Sequence, residues 1–154
     1  MSERLQEEGL LLMTKKINID LEAWMEKALR KNNMSGTQVY FLVYILRHHP
    51  SSTYITELCR EIGISKATLS ALVKKLREKG YLCFQQNSGD VRKKKVVPTE
   101  KLEAEGEEFL QNARQMEKKL CSVLDQKERQ QFFDLEYKIL TGLNEMEHRQ
   151  EVTA

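Results

Sequence analysis

Two short stretches of this chain hold the side chains best suited to chemistry with a charged polymer. Ser65, Lys66, Ala67, Thr68, Leu69 and Ser70 combine a helix-capping serine with hydroxyl, cationic and small groups. Such a set can approach phosphates and base edges, and the free N–H groups of a helix start attract an anion. Lys74 and Lys75 extend its charge. Further along, Arg92, Lys93, Lys94 and Lys95 are consecutive cations. Arg92 has the group favoured in a narrow minor groove, and Asp90 can hold it by a charge-assisted pair. No glycine-rich phosphate loop, nucleophile elbow, metal set or spaced histidine and carboxylate pair is present, so an enzyme is not expected and no catalytic residue, metal ligand or cofactor is assigned.

These residues need a scaffold, and the apolar spacing supplies one. Ile17 to Arg30 has apolar residues recurring at three and four, the mark of an amphipathic helix, and Asn32 and Asn33 end it. Ser35 with Gln38 has the form of a capping box opening a helix to about His48, apolar on nearly every side and so expected to be central. A short helix carrying Ile55, Leu58 and Ile62 closes at Gly63, Ser65 caps the next, Lys66 to Lys79, and Gly80 ends that one. Tyr81 to Gln85 and Arg92 to Val97 are predicted strands around a turn at Asn87 to Asp90. Thr99 caps a long helix in which Leu102, Gly106, Phe109, Ala113, Met116, Leu120 and Val123 form a heptad seam. A last helix, about Asp125 to His148, has more apolar residues than one solvent-facing helix can carry, so part of it must meet another helix or chain.

The layout is therefore mainly α with a small β-hairpin wing: a winged helix-turn-helix at 35–99, flanked by helical regions at 1–34 and 100–154. Charge follows the same division. Thr56 to Glu100 has ten Lys and Arg against five Asp and Glu, whereas the remainder has fifteen against eighteen. A net charge of +2 thus conceals a basic segment between acidic arms, the footprint of a phosphate-binding surface. With 154 residues, 40% hydrophobic and 31% charged, the chain has the composition of a soluble globular protein. Gly9 to Met13 is too short for a signal or membrane helix, and a cytoplasmic location is expected. Cys59, Cys83 and Cys121 are odd in number and widely spaced, which disfavours a disulfide framework and suits buried structural thiols.

Thr56-Glu-Leu-Cys-Arg-Glu-Ile-Gly-Ile-Ser65, Lys66-Ala-Thr-Leu-Ser-Ala-Leu-Val-Lys-Lys-Leu-Arg-Glu-Lys-Gly80-Tyr and Asp90-Val-Arg92-Lys-Lys-Lys-Val-Val-Pro-Thr99 together resemble the multiple-antibiotic-resistance regulator (MarR) family. The match is good from about Ser35 to Gly106. The resemblance implies a transcriptional regulator that binds double-stranded DNA as a homodimer. The terminal helices of two chains would interleave, and the two winged domains would read a pseudo-palindrome. It also implies repression relieved by a small phenolic ligand, an oxidant or a metal, and a small aromatic effector would bind between the dimer helices and the winged domain, where Trp24, Tyr40, Tyr44 and Arg47 can lie. Two positions depart from the family habit: Ala71 stands where arginine is usual, and Phe84 replaces a frequent basic residue.

Those departures favour an alternative, a winged helix that docks a protein and binds DNA weakly or not at all. A further alternative concerns Lys93 to Lys95, since lysines on an edge strand also serve to discourage aggregation. The adjacent His48 and His49 point apart on a helix and disfavour a shared ion.

Overall fold

The computed structural model describes residues 8–86 and 94–153. Helix α1 (Glu8–Leu29) begins well before Ile17, because the helix-favouring Leu10, Leu11 and Leu12 continue it backwards. It stops where Asn32 and Asn33 take φ of 52° and 62°. Asparagine tolerates this left-handed backbone, which lets Lys31 and Met34 exchange backbone hydrogen bonds of 3.2 and 2.9 Å.

The capping box is present. Gln38 N–H donates to Ser35 Oγ and Ser35 N–H donates to Gln38 Oε1, each at 3.1 Å, and α2 (Gly36–His48) follows. Its Val39, Phe41, Leu42, Val43 and Ile45 are buried, as expected of a central helix. Gly36 is where α1 and α2 approach closely. Its N–H donates to Glu26 Oε2 at 2.8 Å, and a β-carbon there would overlap the Glu26 backbone.

Strand β1 (Thr53–Tyr54) leads directly into α3 (Ile55–Ile62). Gly63, at φ 82°, ends α3 in a conformation that costs other residues strain, and α4 (Lys66–Glu78) starts three residues beyond it. Gly80 makes the next left-handed turn at φ 86°. Strands β2 (Leu82–Gln86) and β3 (Lys94–Pro98) form the hairpin. Sequence reading missed β1, a strand too short for any alternation to show. The sheet order is β1-β3-β2, all antiparallel. Thr53 pairs with Val96 and Tyr54 with Lys95, while Phe84 pairs with Val96 and Gln86 with Lys94.

Leu58, Leu69, Val73, Leu76, Leu82 and Val96 are essentially inaccessible to solvent; each contributes about 1.5–3 kcal/mol by leaving water. Thr99 opens α5 (Glu100–Leu120): its hydroxyl donates to Gly80 O at 2.6 Å and accepts from Leu102 N–H at 3.3 Å. Leu102, Gly106, Phe109, Ala113 and Met116 of the heptad are buried, whereas Leu120 and Val123 are exposed. Part of the seam is used within the chain, since Phe109 meets the Tyr81 ring edge-on at 5.9 Å and a β-carbon on Gly106 would sit 2.8 Å from Leu46 Cδ1.

The chain divides into two compact units, Met1–Arg114 and Gln115–Ala154. The second contains a 3₁₀ turn at Cys121–Val123 and α6 (Gln126–Thr153). A reciprocal cap that sequence reading overlooked begins α6: Glu128 N–H donates to Asp125 Oδ1 at 2.9 Å, and Asp125 N–H to Glu128 Oε1 at 3.0 Å. No helix among the described residues is long and apolar enough to cross a membrane.

Candidate nucleic-acid interface

The leading end of α4 is built around Ser65. Its Oγ accepts from Thr68 N–H at 3.1 Å, and its hydroxyl lies 2.8 Å from Thr68 Oγ1 as donor. Thr68 Oγ1 therefore acts as acceptor inside the cap and keeps its own hydrogen to donate outward, to a phosphate oxygen or a base acceptor. Ser65, Lys66, Ala67 and Thr68 are exposed, as are Lys74 and Lys75, and Ser70 is half-buried. No acidic residue occupies the first turn of α4, so the positive end of the helix dipole has no carboxylate from that turn to answer it. Leu69, Val73 and Leu76 fix the opposite face in the core.

The wing supplies Lys94, exposed, and Lys95, half-buried. Asp90, Arg92 and Lys93 lie outside the described residues. Because β3 is the central strand, paired with β2 on one side and with β1 at Lys95 on the other, protection of a sheet edge does not account for Lys95. Phe84 has Arg77 Cζ 4.0 Å from its ring centroid and Lys94 Nζ 5.4 Å away. Arg77 was not among the residues singled out from sequence. Its helical step of three from Lys74 was the available signal.

Other cations serve the fold. Lys79 Nζ donates to Asn33 O, joining the end of α4 to the turn between α1 and α2. Lys101 Nζ donates to Lys79 O at 2.9 Å and lies 4.5 Å from the Tyr81 ring centroid. Burial, with help from Glu105, pushes the Tyr81 phenol up to about 12.

Behind the helix-turn-helix, α2 and α3 are joined by a cluster. Tyr44 OH donates to Glu61 Oε2 at 2.5 Å and His49 Nε2 lies 2.8 Å from the same oxygen. The contacts from His49 first and Tyr44 second hold the Glu61 carboxyl below the usual carboxylate range, while burial and then Glu61 push the Tyr44 phenol up to about 12. Donor atoms of His49, Glu57 and Glu61 lie within 4.8 Å of one another, a grouping not visible from the adjacency of His48 and His49. Both carboxylates already have partners, Glu57 through Thr53 Oγ1 at 3.1 Å, so the cluster works as a hydrogen-bonded brace. Of the aromatic group, Tyr44 is committed to this brace and its ring lies 4.6 Å from that of His48. Trp24 and Tyr40 are half-buried and Arg47 is exposed. Cys59 and Cys121 are half-buried, while Cys83 is exposed rather than buried, because its neighbours Leu82 and Phe84 take the inward side of β2.

The sequence model described as MarR family matches residues 32–93. The HTH-type transcriptional regulator BilQ of Clostridioides difficile (strain CD3) is 26% identical over 138 residues, spanning 90% of this chain and 86% of that protein. Among solved structures, the MarR protein from Peptoclostridium difficile DA00132 superposes with a TM-score of 0.80 at 18% identity, covering 95% of this chain and 94% of that one. The S. aureus MepR-DNA complex does so with a TM-score of 0.76 at 20% identity, covering 86% and 96%. These last two likenesses are of fold.

Proposed function

We propose, from the chain's similarity to MarR-family transcriptional regulators, that it is a winged-helix regulator of that family and a sequence-specific double-stranded DNA-binding repressor. It acts as a homodimer through its terminal helices, and a small aromatic effector tunes its affinity. The observation that carries this reading is the leading end of α4. A serine-capped helix start, exposed and free of acidic residues in its first turn, carries Lys66 and a threonine with a hydroxyl hydrogen to donate. Base readout is assigned to Ser65, Lys66, Ala67, Thr68 and Ser70, and phosphate contact to Lys74, Lys75, Lys94 and Lys95. Asp90, Arg92 and Lys93 complete the wing in this assignment, with Arg92 in the minor groove. The effector site is assigned to Trp24, Tyr40, Tyr44 and Arg47, close to the brace that joins α2 to α3.

Selection of bound duplexes from a random pool tests the reading. A pseudo-palindrome with half-sites about one helical turn apart is expected to be enriched, and Arg92→Glu with Lys94→Glu is expected to abolish retention. A parent protein that enriches no sequence and retains no duplex at about 50 mM salt would instead indicate a protein-docking winged helix.

A further inference from the structure

Phe84 stands where the resemblance leads one to expect a basic residue, which by sequence counts against DNA. Its surroundings reverse that reading. Leu82, Phe84 and Gln86 alternate on β2 with Phe84 opposite Val96 and Gln86 opposite Lys94, so Lys94 is the diagonal neighbour of Phe84 on one face of the hairpin. That face is core at Leu82, Val96 and Pro98 and runs out at Phe84. There the ring takes Arg77 of α4 at 4.0 Å and Lys94 of β3 at 5.4 Å.

We propose that Phe84 is a positioning residue that holds Arg77 and Lys94 as a pair of phosphate-binding cations in the gap between α4 and the wing. Both cations are exposed, and no ion pair among the described residues engages either. Two like charges drawn to one ring repel each other, a cost that a bound anion removes. Their position suits a DNA strand. Lys66, Ser70, Lys74 and Arg77 are spaced by four, four and three on α4, so Arg77 continues a line from the leading end of the helix toward the hairpin. A strand passing from the groove read by α4 to the groove under the wing must cross this gap and would present phosphates to it. The basic group missing at position 84 is thus supplied from the helix, and an aromatic face orients it.

This inference rests on the DNA-binding reading, and its test separates the two. Full-length protein is titrated into a labelled random-sequence duplex of about 30 base pairs, across about 50 to 300 mM KCl. The parent is expected to bind with a linear dependence of log affinity on log salt. Arg77→Gln and Lys94→Gln are each expected to reduce the slope by about one, and both together by about two. Phe84→Leu, which keeps an apolar side chain but removes the π face, is expected to weaken binding about two- to five-fold, with Phe84→Trp restoring it. In the Arg77→Gln, Lys94→Gln background, Phe84→Leu is expected to have no further effect. A parent that binds, with an unchanged slope in Arg77→Gln and Lys94→Gln, would overturn the proposal alone, as would Phe84→Leu binding as tightly as the parent. A parent with no affinity would overturn both readings. The two exposed cation variants decide the matter even if Phe84→Leu does not fold.

Discussion

At the scale of single residues, Glu61 shows how one side chain holds the helix-turn-helix in place. Two partners from α2 and its C-terminal end, Tyr44 and His49, converge on its carboxylate, so α3 is tied to the central helix by polar contacts. Because Glu61 is held below its ordinary value of 4.5, its contribution to stability is present above that value and is lost as pH falls through the lowered one. Tyr44 acts in the opposite range. Its phenol is raised from 10.0 to about 12, so that contribution is complete below pH 10 and is lost as pH rises through 12. Urea midpoints measured across pH are expected to fall in acid and in strong alkali for the parent. Glu61→Gln is expected to flatten the acid fall and Tyr44→Phe the alkaline one. An unchanged profile in both variants would mean that the brace does not hold α3.

Elements differ in how plainly the sequence announces them. Ser35 with Gln38, Gly63 with Ser65, and Thr99 were legible because a cap is a local device: its donor and acceptor lie within a few residues. The contacts of Gly36 were not, since the crowding comes from Glu26 on the preceding helix, across a turn whose path depends on Asn32 and Asn33. Gly36→Ala is accordingly expected to destabilise the first unit by about 1–3 kcal/mol, read as a lower urea midpoint, whereas alanine at a solvent-exposed helix start would not. The heptad was legible as a spacing but not as a destination. Leu102, Phe109 and Ala113 meet the same pattern whether their partner is a second chain or their own winged domain, and the packing of Phe109 on Tyr81 and of Gly106 against Leu46 distinguishes the two. At the interface, Ser65, Thr68 and Lys94 could be picked out by type and position. Arg77 escaped because its role depends on a ring seven residues away on the next strand.

At the scale of the whole molecule, the apolar surface is distributed unevenly. Leu10, Leu12, Ile17 and Ile19 of α1 and Phe133, Tyr137, Leu140 and Leu143 of α6 are all at least half exposed, far more than a monomer in water usually tolerates. We expect a second copy of the chain to cover them. Leu140→Glu with Leu143→Glu is expected to halve the mass measured by light scattering. It is also expected to weaken DNA binding by ten-fold or more, since a lone winged domain keeps only half of the phosphate contacts. A variant that stays dimeric would place the interface elsewhere. The wing itself is mounted at two points. Val96 pairs with Thr53 and Lys95 with Tyr54 of β1, and Tyr54 is the residue immediately before α3. In mechanical terms the hairpin is a cantilever clamped at its root, and one jaw of the clamp is continuous with the first helix of the reading motif. Load applied to β3 by a phosphate backbone is therefore delivered at the start of α3, the helix that supports α4.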